Sequence, residues 1–397
     1  MTGSVKQQRL ESSADLNAVL DLLRTKFAER AEEHDRDGSF PIENFASLRE
    51  FGLLSLTVPR ESGGGGANLA TIACVIRAIA YAEPATALVL IMQYMFHLGI
   101  VQNSRWPRRV RELVQRDAVE NGALINALRV EPELGTPARG GLPATTARRI
   151  AGAGSGAWSV SGHKIYSTGI PVLTWLGVWG RTDEAEPRTG FFLIHRNSPG
   201  IRVIESWDHL GMRATGSHDV VFDQVIIPED HAVDVRPPAE WAGIQAGHQN
   251  IWMSVLLAEL YNAIARAGRD WLIQFTTTRV PSNLGAPLST LPRFQEALGS
   301  IEALLWTNRS LLDRAIDAID RGAPLGVREG NLLKFMVTNN AIASVEKAIE
   351  LTGNHGLDRR NPLERHYRDV LCGRIHTPQN DAILTEAGRA AFAAANL

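Results

Sequence analysis

The sequence predicts an α+β fold of three consecutive parts, helical, then β, then helical. Two observations predict it. Apolar residues recur at helical spacing from Ser13 to about Val119, alternate from about Gly122 to Val235, and return to helical spacing beyond Pro238. The three stretches also follow one another without interleaving, which argues against a doubly wound parallel sheet. The expected parts are a helical domain over 1–119, a compact β-domain over 120–236 and a helical bundle over 237–397.

In the first part, Ser13 is placed to cap a helix in which Leu16, Val19, Leu20, Leu23 and Phe27 share one face. That helix should end before Asp37-Gly38, and Phe45–Leu56 and Leu69–Ala82 repeat the pattern. The glycine run Gly63–Gly66 between them lacks the Lys-Ser/Thr of a phosphate loop and reads as a flexible loop. Thr86–Val101 is an apolar run of 16 residues holding Gln93 and His97, short for a membrane span and expected to be a buried helix. In the second part, segments such as "TWLGVWGRT", "GFFLIHR" and "HDVVFDQVIIPED" are rich in Val, Ile, Trp and Phe and bounded by Gly, Asp and Pro. The "GAGSG" at 152–156 opens no helix, so it reads as a hairpin loop and not a dinucleotide fingerprint. In the third part, Ile251–Phe275, Pro292–Arg321 and Asn331–Leu351 are long amphipathic runs. A polar break, "GRIHTPQND" at 373–381, separates the last two helical segments, and Pro378 accounts for the interruption but not for its other residues.

Composition narrows the function classes. The chain has 397 residues, 44% apolar and 21% charged, with a formal net charge of −2, so nothing attracts it to nucleic acid or an anionic membrane. Two cysteines, Cys74 and Cys372, in apolar helical contexts suit a reducing compartment, and the first ten residues have no apolar core for a secretory signal. A cytoplasmic enzyme is expected. The 11 histidines form no metal-binding spacing, and "GSH" at 216–218 lacks the frame of a nucleophile elbow, so no metal is expected. Two loops look equipped for a ligand: "DHLGMRATGSHD" over 208–219, with Arg213, Thr215 and Ser217, and "KIYSTG" over 164–169, with an aromatic, two hydroxyls and a glycine. Each also reads as an ordinary turn held by its own side chains.

Five segments in order, over some 340 residues, resemble the acyl-CoA dehydrogenase superfamily. They are "REFGLLSLTVPRESGGGGANL", "RVEPELGT", "GHKIYSTG", "LGMRATGSHDVVFDQVIIPED" and "ELTGNHGLDRRNPLERHYRDVLCGRIH". The resemblance implies the family's architecture: an N-terminal helical domain, a β-barrel-like middle domain and a C-terminal four-helix bundle. It also implies a homotetramer, with FAD (FMN being the alternative) held between the β-domain and the bundle. By resemblance, Thr168 is the hydroxyl that meets flavin N5, with Ser167 beside it, and Tyr166 lies against the flavin ring. Val130, Glu131 and Pro132 form the loop facing its pyrimidine edge, and Thr136 approaches substrate and cofactor phosphates. Arg279, Gln295, Glu350 and Gly353 contact the FAD of a neighbouring subunit, while Arg213 and Ser217 belong to the substrate side.

The departures bear on the reaction. Where dehydrogenases of this superfamily carry the glutamate that removes the substrate α-proton, this chain has Thr377, after His376. A threonine hydroxyl is too weak an acid to serve as a general base unaided. The alternative position, after the β-domain, is Trp252. One reading is therefore a flavin-dependent monooxygenase resembling dibenzothiophene monooxygenase, which takes reduced flavin from a partner reductase, uses O2 on a small organic substrate and needs no α-carbon base. In it His376 and His97 are candidates for moving protons. A second reading is an acyl-CoA dehydrogenase with a displaced base, His376 or Glu259, served by an electron-transfer flavoprotein. A third is a non-catalytic scaffold.

Overall fold

The computed structural model describes residues 13–134, 141–150, 156–242, 247–323 and 325–395. Helices come first: α1 (Ser13–Asp37), α2 (Ile42–Glu50), α3 (Leu69–Ala82), α4 (Pro84–Gln102) and α5 (Arg108–Asn121). Strands follow: β1 (Leu124–Leu128), β2 (Thr146–Ile150), β3 (Ala157–Lys164), β4 (Leu173–Thr182), β5 (Thr189–His195), β6 (Ile201–Ile204), β7 (Asp219–Pro228) and β8 (Ala232–Arg236). The chain then returns to helix in α6 (Pro238–Ala242), α7 (Gly247–Thr278), α8 (Pro292–Asp320), α9 (Val327–Thr352), α10 (Asn354–Leu357), α11 (Pro362–Leu371) and α12 (Asn380–Ala395).

Local chemistry sets several boundaries. The Asn68 side chain accepts the Thr71 N–H to start α3, and the Glu83 carboxylate accepts the Ala85 and Thr86 N–H groups ahead of α4, with Pro84 at its first position. Helix α4 is long and apolar enough to cross a membrane, but it packs inside the fold and most of its residues are buried. Within the sheet the strands run β6-β7-β3-β2-β4-β5-β8, with β1 added to β4 in parallel. The "GAGSG" segment falls between β2 and β3, and all but its last residue lies outside the described residues. Helices α7, α8, α9 and α11 form the C-terminal bundle, and one continuous apolar core runs through helices and sheet.

The glycine run is ordered, not flexible. The N–H groups of Gly64, Gly65 and Gly66 donate to the carbonyls of Pro59, Ser55 and Val58 at 3.0, 3.1 and 2.9 Å. A Cβ on Gly64 would lie 2.3 Å from the Val58 carbonyl oxygen, so glycine is needed for the close return of the chain. With these donors spent internally, the loop cannot cradle a phosphate.

Two long-range joints stand out, one inside the β-domain and one between the parts. Glu131, just past β1, is buried and accepts from Lys164 Nζ at 2.6 Å, from Thr145 Oγ1 at 2.6 Å and from the Ala144 and Thr145 N–H groups. Burial alone would raise its pKa, but Lys164 and Thr145 hold the carboxyl below the ordinary range. Burial pushes Lys164 down to about 8, against the pull of Glu131. The second joint is at "LGMR". A Cβ on Gly211 would lie 2.3 Å from the Arg368 carbonyl oxygen of α11, and the Met212 N–H donates to Asp369 at 2.6 Å. Arg368 pairs in turn with Asp35 of α1 and with Glu364.

Glu131→Ala should lower unfolding stability by about 3–5 kcal/mol, because it strands a buried ammonium. Urea denaturation of variant and wild type measures it, and a loss below about 1 kcal/mol would show that Lys164 finds another partner.

Candidate active site

Beyond β3 the chain turns sharply through Tyr166–Gly169. Tyr166 takes a left-handed φ of 56°, a conformation a bulky residue adopts only under constraint, and its ring is half exposed. The ring stands edge-on to Trp207 and His209, which stack on each other at 3.7 Å. Ser167 is fully buried and its hydroxyl has no partner. Thr168 is half-buried; its N–H donates to the Tyr166 carbonyl and its own carbonyl accepts from Asn126 Nδ2, leaving the hydroxyl as its available polar group. That hydroxyl lies 3.0 Å from Ser217 Oγ. The "YSTG" and "GSH" loops, 49 residues apart, thus form one polar wall.

The polar break at 373–381 is held from below. Lys334 of α9 is fully buried and donates to the carbonyls of His376 and Pro378 at 2.8 and 3.0 Å. Burial lowers its pKa to about 8. His376 turns its ring inward, and Nδ1 meets the Tyr261 hydroxyl of α7 at 2.5 Å. Burial and the neighbouring Lys334 push the imidazole down to about 4. Tyr261 is buried and its pKa is pushed well above the usual value, so it keeps its proton. The Tyr261 hydroxyl is fully buried and has no other partner among the described residues, so its hydrogen is satisfied only by donation to Nδ1, which places the ring hydrogen on Nε2. Thr377 is exposed.

Other expected residues lie elsewhere. His97 is fully buried on α4 with both ring nitrogens unpartnered, and burial lowers its pKa to about 4. It shares a face with Gln93 and Tyr94, whose side chains bond to the carbonyls of Leu54, Ala123 and Leu53. Gly99, roughly 160° round the helix, lies against Gln249 of α7. His97 shares the side of α4 whose polar groups bond to the Leu53, Leu54 and Ala123 carbonyls, and no hydrogen bond joins it to the Tyr261–His376 pair. Arg213 is engaged by the Asp35 and His209 carbonyls and by Asp208, so its guanidinium braces the loop against α1. The Glu131 carboxylate is spent on its internal bonds, and the Val130 carbonyl accepts the Ile165 N–H. Thr136 lies outside the described residues. Arg279, Gln295, Glu350 and Gly353 gather at one end of the bundle. There a groove is lined by Thr276, Ser289, Phe294, Gln295 and Leu351. Gln295 donates to the Ser289 carbonyl, and the Glu350 carboxylate is paired with Lys347. Among the described residues no cluster of His, Cys, Asp and Glu is suited to a metal ion.

Residues 11–104, 130–225 and 262–380 match the models for the acyl-CoA dehydrogenase N-terminal, middle and C-terminal domains, in that order. A putative acyl-CoA dehydrogenase of Bacillus subtilis, YdbM, is 33% identical over 373 residues, covering 92% of this chain and 94% of its own. The chain belongs to the acyl-CoA dehydrogenase family. Its relatives are flavin-dependent oxidoreductases, and it is an enzyme of that superfamily. L-evernosamine nitrososynthase from a Micromonospora species is 27% identical, with 94% of this chain and 89% of that protein covered. KijD3, solved in complex with FMN and a dTDP-amino sugar, superposes with a TM-score of 0.77 at 28% identity, covering 99% of this chain and 97% of that one.

The residues present fit a flavin. A buried Ser167 hydroxyl without a partner, a half-exposed aromatic held in a costly backbone conformation and the free side of the Thr168 hydroxyl lie within three consecutive residues. Sequence reasoning missed Lys334 and Tyr261. The available signal was a lone lysine between Leu333 and Val337 on the apolar face of α9.

Lys334→Met should free the His376 and Pro378 carbonyls and raise amide exchange across 373–381 with little change in the rest of α9; equal exchange in both proteins would refute the anchoring role. His97 is buried neutral with a depressed pKa, so its contribution to stability is complete above about pH 6.5 and is lost as pH falls through about 4. His97→Leu should therefore flatten that acid limb in urea denaturation between those values, and leave stability at pH 7 equal or about 1 kcal/mol higher. An unchanged acid limb would show that the imidazole finds a partner.

Proposed function

We propose that this enzyme is a reduced-flavin, O2-using monooxygenase acting on a small organic substrate. The observation that carries the reading is the contact of His376 Nδ1 with the Tyr261 hydroxyl at 2.5 Å, which assigns a neutral imidazole with Nδ1 accepting and hydrogen on Nε2. Such a ring donates a hydrogen bond but has no free nitrogen with which to remove an α-proton. The other displaced-base candidate, Glu259, is fully buried and gripped by Arg77 through two bonds and by Arg309. A carboxylate so neutralised is a poor base. The relationship to a nitrososynthase, named for a nitrogen oxidation, is in keeping with this reading.

Bound flavin, with FAD or FMN as the form, supplies the electrons with which O2 gives one oxygen atom to the substrate. The chain's own residues do the rest. Thr168 would hold the flavin at N5, and Tyr166 would lie against its ring. His376 donates from Nε2 toward a developing negative charge, and Tyr261 keeps that nitrogen protonated. Lys334 fixes the segment carrying His376, so the donor is set before substrate arrives. The exposed end of the bundle at Arg279 and Gln295 is where a neighbouring subunit in a tetramer would complete the flavin site, and electrons would come from a separate reductase.

The test is to load the protein with oxidised flavin and mix it anaerobically with acyl-CoAs from butyryl to palmitoyl and an artificial electron acceptor. No bleaching is expected. Reduced flavin with 18O2 should then place label in an amine or aromatic substrate or release hydrogen peroxide. Bleaching by any acyl-CoA would overturn the reading in favour of a dehydrogenase.

A further inference from the structure

Three hydroxyls lie in a line from the site into the fold. Thr168 Oγ1 is 3.0 Å from Ser217 Oγ, which is 2.8 Å from Thr215 Oγ1, which is 3.0 Å from the Met212 carbonyl oxygen. Each hydroxyl has one hydrogen and the carbonyl has none. The innermost contact is a hydrogen bond only if Thr215 donates it. Ser217 must then donate to Thr215, and Thr168 to Ser217. Three contacts consume three hydrogens; any other assignment leaves two oxygens at bonding distance with nothing between them. Thr215 and Ser217 are buried, so solvent cannot repair such a contact. The Met212 carbonyl is held in place by Trp207 Nε1 and the Thr215 N–H, with which the Thr215 hydroxyl shares its two lone pairs.

The Thr168 hydrogen therefore points inward, and its oxygen turns lone pairs to the open side. We propose that Thr215 and Ser217 are positioning residues that hold the Thr168 hydroxyl as a hydrogen-bond acceptor, so that the site prefers reduced flavin, which carries hydrogen on N5, over oxidised flavin, whose N5 only accepts. This rests on the flavin reading above and deepens it. An enzyme that receives its flavin already reduced gains from such a preference; one that must hold oxidised flavin to take up substrate electrons does not. Ser217 thus acts through Thr168, and its substrate-side role is indirect.

The test is anaerobic titration of reduced and of oxidised FMN and FAD into the wild type, S217A, T215V and T215S, followed by flavin absorbance and fluorescence. The wild type should bind the reduced form more tightly. In S217A and T215V the freed Thr168 hydrogen can turn to oxidised N5, and the preference for the reduced form should fall about five-fold, the scale of one neutral hydrogen bond. T215S keeps the hydroxyl and should keep the wild-type ratio. S217A and T215V cut adjacent links, so if one fails to fold the other carries the test. Oxidised flavin bound as tightly as reduced by the wild type, or one ratio across all variants, overturns the hydroxyl assignment while leaving flavin binding intact. Failure of the wild type to bind either form overturns the flavin reading and the proposal with it.

Discussion

The fold's active region hangs on a single buried carboxyl. Asp369, near the end of α11, accepts the Met212 N–H at 2.6 Å, and burial raises its pKa to about 7 although Met212, Arg365 and Arg368 oppose the rise. Met212 itself has a left-handed φ of 54°, which costs a non-glycine residue about 1–2 kcal/mol and persists because the bond holds it. Everything toward the β-domain follows from that position: the turn at 213–215, the hydroxyl line and Thr168. In the other direction α11 runs directly into the segment carrying His376. The loop of the β-domain and the segment after α11 are thus positioned from one residue, and Arg368 extends the joint to α1 through Asp35.

Charge is arranged around this joint so that the site itself carries little. Glu131 is neutralised by Lys164, Glu259 by two arginines, and Arg213 by Asp208 and two carbonyls. What remains available is neutral and polar: hydroxyls at 167 and 168, an imidazole that stays uncharged at pH 7 and a phenol that keeps its proton. Such groups orient a ligand and donate or accept single hydrogen bonds.

The order of helix, strand and helix was legible because hydrophobic period changes sharply at both borders, and period depends on local sequence alone. The carboxylate-free segment at 375–379 was legible because it falls in a matched family stretch. Pairings were not. Nothing local tells that Lys164 meets Glu131, 33 residues earlier, or that Lys334 reaches carbonyls 42 and 44 residues on. The glycine run misled for a related reason, since its composition is the same whether the amides face water or distant carbonyls. His97 was correctly expected in a buried helix. Its face depended on the partners of Gln93 and Tyr94, which only the assembled structure supplies.

The close approach of Gly211 to the Arg368 carbonyl has a consequence for inheritance. The loop and the helix are separated by more than 150 positions, yet neither can gain an atom without the other giving way. Selection therefore sees "LGMR" and "RD" as one word written in two places.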